Sequence, residues 1–501
     1  MNITHHIERA SQLFPDQNAL IFETKTYTYS ELNQLANRMA NGLSQLGVTK
    51  GDRVALFLPN IPEFVVAYLG SLKLGAIAVS LNVMLKSDEV SFILNDCTAK
   101  ILITTQELSQ EVVRKDLPHL QTMLLAESPI GIGDSLTQML VNAEPDAKAI
   151  DLEPNTPAAI VYTSGTTGFP KGATLSHDNI IANMTAQTRC CQMKSSDRLL
   201  LYLPLFHCFG QNAVLNAGLS IGATIVLQRR FKPEQVLEAV SKLKITMFFG
   251  VPTVFIRLLN LNPSVFAKVR YFFSAAAPMP VEIAQRWQSQ YGIFIHEGYG
   301  LTETSPCACY NHNSQYKFGS IGTPIEDVEI AVVDDRGKQL PPGELGEIAI
   351  KGPNVMLGYW NRPLETAKVL KNGWFHTGDI GSRDDDGYFY IVDRVKDMIN
   401  ASGFKIYPAE VENVLYQHPA VAEAAVYGIP DTFKGETVSA NIVPKQGHII
   451  TEAEIKAFCA DRIATYKVPK CFQFVDAIPK NPTGKILKRK LREEQIALMA
   501  S

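Results

Sequence analysis

The stretch GDRVALFLPNIPEFVVAYLGSLKLGAIAVSL, residues 51–81, sets the architecture. It opens as an apolar strand and stops at Pro59. It resumes as an apolar helix, turns on Gly75-Ala76 and closes as a second apolar strand. A strand that is apolar throughout, rather than in alternation, is buried on both faces, as in a parallel sheet covered by helices on each side. The same order returns in SDRLLLYLPLFHCFG…IGATIVLQ, between residues 196 and 228. Asp52 and Pro59 recur at a constant offset as Asp197 and Pro204, and Gly75-Ala76 returns as Gly222-Ala223. Two such copies predict two related parallel α/β layers packed side by side. The longest apolar region falls within the first copy. Lys73 and Gly75 interrupt it, so it reads as helix, turn and strand rather than a membrane span.

Upstream, TYTYSELNQLANRMANGLSQLG, residues 26–47, predicts a strand, a cap at Ser30 and an amphipathic helix. Leu32, Leu35, Ala36 and Met39 repeat at helical spacing, and Gly47 closes the helix. Downstream of about Gly319 the texture becomes short strands with Gly, Pro and Asp turns, a β-rich subdomain over about 319–393. From Arg394 on, a hairpin, a helix starting near Pro408, two strands, a further helix and a basic tail predict a small α+β domain. The expected fold is therefore α/β. A large domain, 1–393, holds two related parallel subdomains and the β-rich one, and a small mobile domain, 394–501, follows.

The chain has 501 residues, 46% of them hydrophobic, enough for more than one buried core. With 47 basic and 50 acidic residues the net charge is -3, a balance that gives no argument for nucleic acid or an anionic membrane surface as partner. The eight cysteines lack metal-ligand spacing and read as reduced thiols, mostly buried. The N-terminus, MNITHHIERA, lacks the pattern of a signal peptide, so a cytoplasmic location is expected.

TSGTTGFPKG, residues 163–172, follows the apolar strand AAIVYT. Glycines, hydroxyls and one lysine after a strand make a phosphate cradle, because backbone amides and hydroxyls can converge on an anion. It is not a Walker loop, which needs GxxxxGK[ST]; here Lys171 follows Pro170 and precedes Gly172.

YTSGTTGFPKG resembles the signature of the adenylate-forming superfamily, which includes acyl- and aryl-CoA synthetases, amino-acid adenylation domains and beetle luciferases. PLFHCFG at Pro204, SAAAP at Ser274, EGYGLTET at Glu297, HTGD at His376, DRVKDMINASGFKIYP at Asp393 and PKNPTGKI at Pro479 extend the resemblance over almost the whole chain. It implies a two-step ligase. A carboxylate attacks the α-phosphate of ATP, giving an acyl adenylate and pyrophosphate, and a thiol then expels AMP. Two anions must meet in the first step, so cations and donors are needed there.

The resemblance also implies roles. Thr163, Ser164, Gly165, Thr166, Thr167, Gly168 and Lys171 would wrap the β- and γ-phosphates. Thr163 and Glu303 would hold Mg²⁺, a hard cation suited to oxygen ligands. Ala276, Glu297, Gly298, Tyr299 and Gly300 would surround the nucleotide, with Tyr299 on adenine. Thr302 would touch the α-phosphate, and Asp379 would take the ribose hydroxyls beside Arg394. Lys485 would bridge carboxylate and α-phosphate. Lys396 matches the hinge about which the small domain turns between the two steps. Ser402, Gly403 and Lys405 would line the CoA pantetheine tunnel. Some aryl-CoA relatives carry lysines where Asn400 and Ser402 stand.

For the acid, LFHCFG offers no carboxylate for an amino group, and glycine at 298 replaces the arginine of malonate-activating relatives. His207, Phe209, Gly210, Gly250, Ala276 and Gly298 would form an apolar acyl pocket suited to a medium- or long-chain fatty acid. His207 would gate that pocket or orient the carboxylate, or simply be a buried, satisfied histidine. EGYGLTETSP and INASGFKIYPAEVE look most like fatty acyl-CoA synthetases. The alternative acceptor is an acyl carrier protein, which presents the same phosphopantetheine thiol. A monomer or homodimer is expected.

Overall fold

The computed structural model describes residues 1–127, 135–163, 170–259, 261–394, 397–401, 404–431, 435–481 and 484–500, without the side chains of Pro263, Asn313, Arg394, Lys405 and Ala500. The first quoted stretch folds as strand Arg53–Phe57, helix Pro62–Lys73 and strand Ile77–Ser80, the two strands pairing in parallel with Arg53 opposite Ile77. Pro62 opens the helix, where its missing N–H has no intrahelical partner to lose. Gly75, at φ +67, turns the chain back. Side chains sort by parity. Val54, Leu56 and Ala78 enter the main core, whereas Ala55, Phe57, Ile77 and Val79 pack with Val90 and Ile93 of helix Ser87–Asp96. Both faces are covered, as the continuous apolar pattern requires.

These strands belong to a seven-stranded sheet in the order 358–359, 171–176, 157–163, 77–80, 53–57, 101–105, 122–126. The second copy belongs to a nine-stranded sheet in the order 323–324, 307–310, 295–300, 271–274, 247–250, 198–201, 224–227, 18–22, 25–28. Residues of both sheets meet in one core cluster. In the second copy, strands Arg198–Leu201 and Thr224–Leu227 again pair in parallel. Its helix differs from the ordinary one expected. Phe209–Asn216 is a π-helix, continued by one α-turn, Ala217–Ser220. The span from Pro204 to Gly222 is longer than that from Pro59 to Gly75, and a wider turn absorbs the extra residues.

Helix Tyr29–Gln45 starts earlier than expected. Its cap is Thr28, not Ser30: the Thr28 hydroxyl accepts from the Glu31 N–H at 3.2 Å, and the Glu31 carboxylate accepts from the Thr28 N–H at 2.8 Å. Strand Lys25–Thr28 ends there, and the reciprocal pair fixes the start.

Strands 329–333, 346–351, 370–371, 374–383 and 389–394 form an antiparallel sheet. Two short strands of this region leave it to pair elsewhere: Thr323–Pro324 joins the nine-stranded sheet and Gly358–Tyr359 the edge of the seven-stranded one. The C-terminal residues from Ile399 on have their own core cluster. The basic end of the chain is not a solvated tail but helix Lys488–Ala500. Lys488 pairs with Glu412 at 2.8 Å and Arg492 with Glu436 at 2.9 Å. Among the described residues no helix is long and apolar enough to cross a membrane. All eight cysteines are free thiols.

Candidate active site

The second copy delivers His207 at the start of the π-helix. The turn before it is held by Asn60 of the first copy. The Asn60 amide oxygen accepts from the Leu205 N–H, and its nitrogen donates to the Leu203 carbonyl, each at 2.9 Å. The Phe209 N–H donates to His207 Nδ1 at 3.1 Å. Nδ1 is therefore an acceptor, and the proton of the neutral ring sits on Nε2. Burial, and then the Lys485 ammonium, lowers the His207 pKa to about 4, so the ring is a neutral donor at pH 7.

Lys485 comes from the C-terminal unit on a tight turn. Its N–H donates to the Asn481 side chain at 2.9 Å, and the Asn481 N–H returns a bond to the Lys485 carbonyl at 2.8 Å. Gly484 is at φ +80, and a Cβ there would lie 2.7 Å from Val251 Cγ2. The turn is thus seated against the segment that opens helix Pro252–Leu258.

Strands Pro157–Thr163 and Lys171–Ser176 form an antiparallel pair with Thr163 opposite Lys171. Between them Ser164, Gly165, Thr166, Thr167 and Gly168 lie outside the described residues. Glu303 sits on the 3₁₀ turn Thr302–Thr304, only 8% exposed, and accepts from the Tyr359 hydroxyl at 2.8 Å. The Lys171 ammonium lies over the same tyrosine ring, 5.3 Å from its centre. Sequence reasoning missed Tyr359, because nothing in the local pattern of LGYWNR ties it to Glu303. Thr302 is buried and hydrogen-bonded to the Cys208 thiol, whose pKa burial pushes up to about 12. Among the described residues no three His, Cys, Asp or Glu side chains group as a metal cage. A carboxylate and a threonine hydroxyl are hard oxygen donors of the kind that suit Mg²⁺, which keeps waters and phosphate oxygens as its other ligands.

Tyr299 donates to Asp379 Oδ2 at 2.7 Å, and Asp379 stands opposite Arg394 on neighbouring strands. Gly300 admits no side chain, since a Cβ would fall 1.7 Å from the Pro306 carbonyl oxygen. Ala276 holds a left-handed backbone at φ +71. Glu297 is buried and accepts from the Met279 N–H. Burial raises its pKa to about 8, and its Oε1 has no partner among the described residues.

Leu203, Pro204, His207, Phe209, Gly210, Val251 and Ala276 enclose a narrow cavity of ≈ 10 Å³, room for about one water. Two expected pocket glycines stand elsewhere. A Cβ on Gly250 would meet the Tyr202 hydroxyl at 2.7 Å and the Phe255 ring, so this residue faces the aromatic core, and its neighbour Val251 lines the cavity instead. The parity of a strand makes that difference. A Cβ on Gly298 would lie 2.2 Å from Phe273 Cζ, so the Phe273 ring fills the space this glycine leaves. That ring also meets Phe209 edge-on, with centroids 5.9 Å apart.

Lys396, Ser402 and Gly403 lie outside the described residues, as does the side chain of Lys405. Beside them Phe404 is half exposed and stacks on Tyr466, with centroids 4.7 Å apart.

Known proteins match this chain end to end. The AMP-binding enzyme family matches residues 7–360, and the AMP-binding enzyme C-terminal domain matches residues 410–485. A long-chain-fatty-acid–CoA ligase of Bacillus subtilis is 38% identical, covering 96% of this chain and 92% of its own. A feruloyl-CoA synthase of an Amycolatopsis species is also 38% identical, covering 97% of each. The crystal structure of an anthranilate CoA ligase in complex with anthranoyl-AMP superposes with a TM-score of 0.94 at 31% identity, covering 100% of this chain and 98% of that one.

Proposed function

Because the chain belongs to the AMP-binding enzyme family and is an acyl-CoA ligase that takes ATP and CoA as substrates, we propose that its acid is a medium- or long-chain fatty acid activated between His207 and Lys485. The observation that carries this reading is that His207, a neutral and partly buried side chain lining an apolar cavity, lies within the field of the Lys485 ammonium. The carboxylate oxygen attacks the α-phosphorus, the bond to the β-phosphate oxygen breaks, and pyrophosphate leaves. Lys485 offsets the charge that gathers on carboxylate and phosphate, and His207 Nε2–H donates to the acid. Thr302 contacts the α-phosphate. Tyr299 and Asp379 hold adenine and ribose, with Arg394 beside them. Lys171 and the preceding loop hold the outer phosphates. Mg²⁺, held by Thr163 and Glu303, would neutralise triphosphate charge. In the second step the CoA thiol attacks the acyl carbon and AMP leaves, after the domain beyond residue 393 turns about Lys396 and brings Ser402, Gly403 and Lys405 to the site.

The cavity lining supports a hydrophobic acid, since His207 is its one polar side chain. A second reading, an aryl acid, is favoured by the Phe209–Phe273 pair beyond Gly298, which shortens the space and offers ring edges. Mass spectrometry separates the two. With MgATP and CoA, acids from acetate to palmitate are compared with benzoate and cinnamate. Acyl-CoA and AMP from a band of fatty acids supports the first reading; turnover of the ring acids alone replaces it with the second. Acyl-AMP that CoA never consumes would point to a carrier protein as acceptor.

A further inference from the structure

The segment Leu357–Arg362 is a strap laid along the strand that follows the phosphate loop. The Leu357 N–H donates to the Thr174 carbonyl at 2.9 Å and the Trp360 N–H to the Gly172 carbonyl at 2.7 Å, with Tyr359 opposite Ala173. One end is tied to Glu303, whose carbonyl accepts from the Met356 N–H at 2.8 Å. The other end is tied to Asp96, which pairs with Arg362 at 3.0 Å and accepts from the Tyr162 hydroxyl at 2.7 Å. Tyr162 stands next to Thr163, the last described residue before the loop.

At the centre of the strap Tyr359 meets both charges. Its hydroxyl donates to the Glu303 carboxylate, and its ring face carries the Lys171 ammonium. A direct pair between such a carboxylate and ammonium would have to be broken by an incoming metal and phosphate. The tyrosine satisfies each separately: the hydroxyl edge orients the acid, and the π-face seats the base.

We propose that Tyr359 is a positioning residue that presets Glu303 for the metal and Lys171 for the outer phosphates of ATP. The proposal rests on the reading that Glu303 holds Mg²⁺. Tyr359→Phe keeps the ring and removes the donor. Binding of a non-hydrolysable ATP analogue to the full-length protein is measured by calorimetry across a Mg²⁺ series and in EDTA. The Mg²⁺ concentration at half-effect should rise about tenfold, while metal-free nucleotide affinity stays at the parent value. Tyr359→Leu, which also removes the lysine's seat, should weaken metal-free binding as well. An unchanged Mg²⁺ dependence in Tyr359→Phe, or an equal loss with and without metal, overturns the proposal. Glu303→Gln separates the two layers. If it too leaves the Mg²⁺ dependence unchanged, the metal assignment itself falls and the proposal with it. If it removes that dependence while Tyr359→Phe does not, the role of Tyr359 alone falls.

Discussion

The two βαβ copies share a scaffold and divide the work. In the first, helix Pro62–Lys73 is a regular α-helix, buried along almost its whole length, whose residues serve packing and internal tethers such as the Lys73–Glu8 ion pair. In the second, the corresponding segment is a π-helix with Gln211, Asn212 and Asn216 buried inside it. At matching positions Pro62 becomes His207 and Val65 becomes Gly210. A Cβ on Gly210 would lie 2.6 Å from the Pro204 carbonyl oxygen, so glycine lets the helix close onto the turn that carries His207. The copies also hold each other. Asn60 of the first binds Leu205, its own counterpart in the second, and Asn216 donates to the Tyr68 hydroxyl at 2.9 Å. One copy is a rigid wall, and the other, wider and more polar, is the working face built against it.

The contrast can be broken at His207 first. His207→Ala should lower single-turnover acyl-AMP formation by about 10²–10³, the range for loss of one transition-state donor. Pro62→Ala at the matching position should change only stability, by about 0.4–1 kcal/mol. Comparable rate losses in both would mean that the copies do not divide the work.

Glu297, in the same sheet as the second copy, sharpens the contrast through pH. Burial raises its pKa from 4.5 to about 8, so the folded state holds a proton that the unfolded chain releases. Stability therefore falls as pH rises from 4.5 to about 8. Glu297→Gln should remove that slope and stabilise the protein at pH 8 by about 4 kcal/mol, read from denaturant melts across pH. A parent and variant with parallel pH profiles would show that Glu297 ionises normally.

At the next level, Gly210→Ala should cost about 1–3 kcal/mol through overpacking and also slow adenylation. Val65→Ala should cost about 2 kcal/mol through the cavity it leaves, with normal chemistry per folded molecule. Asn60→Ala tests the link between the copies. Losing the tether to Leu203 and Leu205 should cost about 1–2 kcal/mol and partly impair turnover. Unchanged turnover would free His207 from dependence on the first copy.

Much of this fold is legible from local chemistry, and the exceptions are instructive. The strands Arg53–Phe57 and Arg198–Leu201 are continuous apolar runs, and the turns after them carry proline and glycine, so pattern alone finds them. The helix cap moves from Ser30 to Thr28 because a threonine with glutamate three residues later competes better for the free N–H groups. The π-helix is visible only as extra length against the first copy, a difference that hydrophobic spacing does not register. Gly250 and Val251 exchange places at the cavity because a strand's neighbours face opposite ways, and sequence does not fix which face is which. Phe273 and Tyr359 gain their importance from partners far along the chain, Gly298 and Glu303, and carry no local mark of it.

The most direct test separates the two half-reactions in Lys485→Ala. Acyl-AMP formation from the acid and MgATP is followed by rapid quench, and CoA-dependent consumption of preformed acyl-AMP is followed in parallel. The first should fall by at least about 10² and the second should proceed near the parent rate. Equal loss of both, or an unimpaired first step, would contradict the placement of Lys485 beside His207 as the centre of adenylation.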